Sequence, residues 1–232
     1  MVSPIYLLAL PLGIAFLTAF LDKIGRSVSL PVFFGGLAAM TALAGSWFAA
    51  AVLGDGGTMV YTAGWQPPLS IALAMGRAEA FVLTAILAAG LLAALVMAPR
   101  FRRGSVTAPV LFLMVMLGAV GLVLTRDLFN LFVFLEISSI ATYALIAIER
   151  SRRSLAAGFK YIIAGSIASA LFLIGTGYVY RLTGSLALRD IAAAGDTFAA
   201  VPGFTALFLV AAALLIELKP FPANGWALDV YQ

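Results

Sequence analysis

The run from Asp127 to Ile148, DLFNLFVFLEISSIATYALIAI, is apolar enough to cross a bilayer, yet it holds one carboxylate, Glu136, with Ser138 and Ser139 close behind. Glu136 stands nine positions past Asp127. At ~1.5 Å of rise per helical residue that is about 13–14 Å, near the middle of a ~30 Å hydrocarbon core. An ionised carboxylate at that depth costs on the order of 2.5–3.5 kcal/mol by insertion scales, so it has to face protein or water. On a helix its face includes Phe132, Val133, Ser139, Ile140 and Tyr143, so a hydroxyl and a phenol can help hydrate it. Burial favours the neutral form of such a group, and a nearby cation favours the ionised form. A carboxyl pushed both ways changes its proton affinity when its partner moves, which is what a proton relay needs. The plainer reading is a carboxylate paired with a basic residue to hold helices together.

Two lysines can supply the positive charge. Lys160 lies a few residues inside the run Ala156 to Leu182, where it serves either as a partner or as a side chain that snorkels to the interface. Lys219 lies far into the last apolar run, which begins near Pro202, and is hard to explain as an interfacial anchor. Glu217, two residues earlier, would join it in a relay or neutralise it in an inert local pair. The candidate relay set is therefore Glu136, Lys219, Lys160 and Glu217. Asn130 either wets its helix or makes a packing hydrogen bond, and Asp229 is expected near an interface.

Other chemistry is scarce. The chain has no Cys and no His, which removes thiol chemistry, disulfides, imidazole ligation of haem, cysteine-held iron–sulfur clusters and the usual zinc sites. It offers no phosphate-binding glycine loop and no acid pair at metal spacing, and without His no Ser–His nucleophile exists. No catalytic residue, cofactor or metal is expected, and a membrane enzyme with its own active site is poorly supported. In redox metabolism the electrons would travel through another subunit.

The elements that must position these residues follow from composition. Of 232 residues, 63% are hydrophobic and 10% charged, with a mean hydropathy of +1.10. A soluble domain cannot hide that much apolar surface, so the fold class is all-α integral membrane. About seven spans are predicted: Pro4–Leu21, Val28–Leu53, Ala78–Ala98, Val106–Thr125, Asp127–Ile148, Ala156–Leu182 and a seventh from Pro202. The first lacks a basic leader and a good cleavage site, so it is read as a retained helix. Gly35-Gly36 and the small residues Ala164, Gly165, Ser166, Ala168 and Ser169 predict close helix contacts. Residues 54–77, with Tyr61, Trp65 and Pro67-Pro68, read as a non-helical excursion outside the membrane. The seventh run is predicted to break near Pro220 and Pro222, and non-helical backbone at membrane depth is tolerated only against protein or a wet cavity. The expected division is a three-helix region over 1–105 and a second region over 106–232.

The net charge of +4 resides in short loops, which points to membrane topology and away from nucleic acid. The loops after spans one, three and five hold Lys23, Arg26, Arg100, Arg102, Arg103, Arg150, Arg152 and Arg153. Those after two, four and six hold Arg77, Arg126, Arg181 and Arg189. The bias places the first set in the cytoplasm and the N-terminus outside a prokaryotic cell membrane.

The segment DLFNLFVFLEISSIATYALIA resembles the fifth helix of the antiporter-like membrane subunits shared by Mrp-type sodium/proton antiporters, membrane-bound hydrogenases and respiratory complex I, and is most similar to the Mrp D-type pattern. AAGFKYIIAGSIASALFLIGTGYVYRLTGSLALRDIA resembles the family's sixth helix and following loop, and FPANGWALDVY its FPFHGWLPDAY at a broken seventh helix. The likeness runs from about residue 106 to the end and is weaker in GWQPP. It implies a proton-translocating subunit, with sodium as a further candidate ion, working among other membrane subunits of an antiporter or respiratory-type complex. It also implies that Glu136 occupies the family's relay-glutamate position, whose partner is a lysine in the broken helix, and that Lys160 matches its KY dipeptide. Counted back from Pro222, the lysine position falls on Glu217, with Lys219 two residues later; Asn224 and Leu228 replace a histidine and a proline. The chain corresponds to the N-terminal half of such a subunit, with the rest supplied by further chain or a second polypeptide. The alternative is a non-conducting structural subunit or a truncated remnant.

Overall fold

Long apolar runs without Asp, Glu, Lys or Arg satisfy their backbone polar groups only by becoming helices, and helices dominate the computed structural model. It describes residues 3–54, 57–62, 65, 70–220, 224 and 227. Among the described residues six helices are long and apolar enough to cross a membrane: α2 (Arg26–Leu53), α3 (Arg77–Val96), α5 (Thr107–Leu124), α6 (Leu128–Ile146), α7 (Arg152–Thr183) and α9 (Val201–Leu218). A further apolar helix, α1 (Tyr6–Leu21), has 16 residues. Large side chains such as Phe16, Leu92 and Phe208 are exposed, as lipid-facing residues are. The protein is a multi-pass α-helical membrane protein.

One compact unit comprises Met1–Thr62 and Ala72–Thr125. Within it α1 packs on α2 and α5, and α2 on α3. The Gly35-Gly36 pair divides its labour: a Cβ on Gly36 would lie 2.6 Å from Ile14 of α1, whereas Gly35 has nothing within 4 Å. The excursion after α2 contains an antiparallel hairpin, β1 (Thr58–Tyr61) with β2 (Ala72–Met75), pairing Thr58 with Met75 and Tyr61 with Ala72. Asp55, Gly56 and Pro67-Pro68 lie outside the described residues. The basic turn after α3 is a short helix, α4 (Ala98–Arg103), anchored by Phe101, which is 1% exposed and meets Phe33 edge-on at 5.4 Å. One Phe among three Arg in six residues carries too little periodicity to announce that helix in sequence.

The other unit comprises Ala63–Ile71 and Arg126–Gln232. Asp127 caps α6 by accepting from the Asn130 N–H at 2.8 Å, which satisfies one of the helix's free donors. The connection just before α6 is clamped to the segment following α7. Leu128 N–H donates to Leu186 O at 2.8 Å and Leu188 N–H to Arg126 O at 2.9 Å. Ser151 caps α7, which begins four residues earlier than the hydrophobic run suggests and ends at left-handed Gly184. The loop beyond it forms a short helix, α8 (Leu188–Ala193).

Small residues let α6, α7 and α9 approach closely. A Cβ on Gly175 of α7 would lie 2.8 Å from Val210 of α9, and one on Gly158 would lie 3.1 Å from Ala147. A Cβ on Gly165 would come within 3.0 Å of Tyr143 Cζ. Helix α9 ends at Leu218; Lys219 takes a left-handed conformation (φ 51°) and Pro220 follows. The break predicted near Pro220 and Pro222 thus begins at Lys219, while Pro222, Gly225 and Asp229 lie outside the described residues. Replacing Gly165 with Val forces Tyr143 aside, and overpacking of this kind costs about 1–3 kcal/mol. A lower thermal unfolding midpoint in detergent is the expected outcome, with Gly177→Val, in open space, as the control.

Candidate functional site

Three helices of the second unit bring the candidate residues together. From α6 come Glu136, Ser139 and Tyr143; from α7, Tyr161 and Ser169; from α9 and its end, Glu217 and Lys219. Glu136 faces the bundle, as its cost at membrane depth requires. The Ser169 hydroxyl donates to Glu136 Oε1, and the pocket beside it is lined by Phe132, Leu135, Glu136, Ser169, Phe172 and Glu217, among others. Its volume of about 10 Å³ is close to what one water needs. Phe132 stacks on Phe172 at 5.9 Å and walls it on one side.

Glu217 is the second acid of this pocket. Ser139, 6% exposed, points its hydroxyl at both carboxylate oxygens of Glu217, each 3.2 Å away. The serine on α6 thereby tethers the acid on α9, and the serine on α7 tethers the acid on α6. Each carboxylate takes a hydroxyl hydrogen from a helix other than its own. Bonds to an ionised acceptor are worth more than neutral ones, so this exchange also ties the three helices.

Lys219 folds back over the end of its own helix. Its Nζ donates to Glu217 O at 2.7 Å and lies 3.9 Å from Glu217 Oε2, with the side chains 15% and 14% exposed. It also sits 4.6 Å above the ring of Tyr161, whose face attracts cations. A cation over the last carbonyls suits the negative end of the helix dipole. Tyr161 is 5% exposed and its ring centre is 5.0 Å from that of Tyr143. The left-handed backbone at Lys219 costs on the order of 1–2 kcal/mol and is held by these contacts.

Of the four residues singled out in sequence, Glu136, Glu217 and Lys219 meet here. Lys160 does not line the pocket; its side chain is exposed on α7, eight residues past the helix start. Its neighbour Tyr161, about 100° further round the helix, carries the contact to Lys219 instead. The expected face of Glu136 is partly right: Phe132, Ser139 and Tyr143 turn inward, whereas Ile140 is 56% exposed. Ser169 reads in sequence only as a small packing residue, and its bond to Glu136 needs the helix register to be seen. Among the described residues no group of three His, Cys, Asp or Glu is placed to hold a metal ion.

Residues 125–232 match the protein family described as NADH:quinone oxidoreductase/Mrp antiporter, TM. NADH-quinone oxidoreductase subunit N of Desulforudis audaxviator is 40% identical over 177 residues, covering 74% of this chain and 35% of that protein. A chain in the structure of the membrane-bound sulfane sulfur reductase, an archaeal respiratory membrane complex, superposes with a TM-score of 0.91 at 34% identity, covering 99% of this chain and 47% of that one. A chain of the Mrp complex from Dietzia sp. gives a TM-score of 0.85 at 27% identity, covering 100% of this chain and 44% of that one. The chain therefore spans half or less of the length of these relatives.

Ser139→Ala leaves the Glu217 carboxylate without its donor from α6. The expected loss is about 1–3 kcal/mol of stability, read as a lower unfolding midpoint in detergent. Ser166→Ala, on the exposed side of α7, is expected to change it by less than about 0.5 kcal/mol.

Proposed function

Because this chain belongs to the antiporter-like membrane-subunit superfamily, we propose that it moves protons, alone or in exchange for sodium, as a membrane subunit of a multi-subunit antiporter or redox-driven ion pump. The observation that carries this reading is Glu136, a carboxylate turned into the α6–α7–α9 bundle beside a second acid that itself holds a lysine. Glu136 is the relay carboxylate. Lys219 is its electrostatic partner and acts through Glu217, the acid that lies between them in the chain of contacts. Lys160, exposed on α7, is the second cation of the relay set and serves where the pathway meets its surroundings.

A relay needs a proton affinity that changes with geometry. A tenfold change corresponds to only about 1.4 kcal/mol, less than the electrostatic effect of moving an ammonium by a few ångströms in a site screened from water. The lysine's attachments to Glu217 and to the Tyr161 ring are of the kind that a small movement of the α9 end exchanges for others. The partners of this chain are other membrane subunits, which hold any redox centres and complete the ion path. Its setting is a prokaryotic cell membrane with the N-terminus outside, as the arginine-rich loops favour.

The test is Glu136→Gln in the native complex. Proton flux measured in membrane vesicles is expected to fall by about 10²-fold or more, with assembly on native gels unchanged. Unchanged flux would refute the relay and leave a non-conducting structural subunit as the reading.

A further inference from the structure

Both carboxylates line one pocket, and Lys219 is attached to it through Glu217. Ser169 holds Glu136 Oε1, and Ser139 holds Glu217 across both oxygens. Lys219 contacts Glu217 and Tyr161. The charge balance of this trio is informative. With both acids ionised it carries a net negative charge in a small, largely apolar pocket. With one proton on the pair it is neutral. Two carboxylates sharing such a site do not both ionise at ordinary cost, whereas one shared proton removes the repulsion. The pocket has room for one water, and that water would find Glu136, Glu217 and Ser169 around it.

We propose that Glu136 and Glu217 form a carboxyl–carboxylate pair that passes one proton between α6 and α9 through a single bridging water, with Ser139 and Ser169 as positioning residues. In the transfer the O–H bond of Glu136 breaks and its proton joins the water. The water gives one of its own protons to a Glu217 oxygen and is regenerated. One proton moves, no electrons change hands, and the reverse step is the same. The pair rests on the relay reading of Glu136 but assigns Glu217 a different task, as second proton carrier rather than a counter-ion that neutralises Lys219. The titratable groups around the pair are Tyr143 on α6 and Lys219 at the end of α9, with Tyr161 of α7 packed against both of these.

The discriminating experiment compares Glu217→Gln with the double variant Glu217→Gln/Lys219→Gln in the assembled complex, using vesicle proton flux. Gln keeps an acceptor for Ser139 but cannot carry the proton. Flux is expected to fall by about 10²-fold in the single variant and to stay low in the double one. Recovery of flux in the double variant, where neither charge needs a partner, would overturn the pair and leave Glu217 a counter-ion. If Glu136→Gln abolishes flux while the double variant conducts, the pair alone fails; if Glu136→Gln conducts normally, the relay itself fails. Infrared spectra supply a second readout independent of assembly yield. The carbonyl band of the protonated carboxyl is expected to shift in both Glu217→Gln and Ser169→Ala, and a band that stays in place in both would overturn the proposal.

Discussion

A carboxylate at the depth of Glu136 has no bulk water to solvate it, and most of the second unit can be understood as the solution to that one problem. A helix cannot solve it alone. Its backbone donors are already committed to its own carbonyls, so hydrogen for Glu136 has to come from another helix. Ser169 of α7 provides it, and reaches because Gly158 and Gly165 let α6 and α7 approach without side chains in the way. The same solution is repeated for Glu217 by Ser139. Small residues and hydroxyls are therefore two halves of one device: the first bring backbones close, the second turn closeness into hydrogen bonds.

Sequence reveals the parts of this design that depend on local chemistry. The spans stand out because apolar runs of membrane length admit few other structures, and α2, α3, α5, α6, α7 and α9 follow the runs closely. The interruption of α9 before Pro220 also follows from residue type. Elements set by partners at a distance are not visible in this way. The β1–β2 pairing joins residues separated by a segment of turn formers, and nothing local fixes its register. The clamp that joins Arg126 and Leu128 to the segment after α7 is equally invisible, since its bonds are backbone to backbone.

The candidate site divides along the same line. Glu136, Glu217 and Lys219 are conspicuous because ionisable groups in apolar runs are costly, and cost is legible residue by residue. Which of them meet is a matter of helix register. The resemblance suggests a Glu136–Lys219 pairing; the structure adds that Lys219 holds Glu217 and that Glu217 shares the pocket with Glu136. Lys160 shows the same dependence on register. Its charge draws attention, but it lies on the exposed side of α7, and the adjacent Tyr161 is the residue that points inward.

The arrangement of Glu217 and Lys219 follows from the periodicity of α9. Gly203, Ala206 and Ala213 are buried, and Val210 packs among them, so the spacing 203, 206, 210, 213 marks the inward stripe of the helix. Glu217 is the next position on that stripe and enters the bundle for the same reason as the alanines. Lys219, two residues on, would stand about 200° away if the helix continued and would point toward lipid. The helix does not continue. The left-handed turn at Lys219, ahead of a proline that cannot extend the helix, redirects the chain and lets the ammonium return to the Glu217 carbonyl and the Tyr161 face. The break thus does more than interrupt a span. It reverses the direction of a charge that regular helix geometry would have sent out of the protein, and in doing so it gives Glu217 a cation.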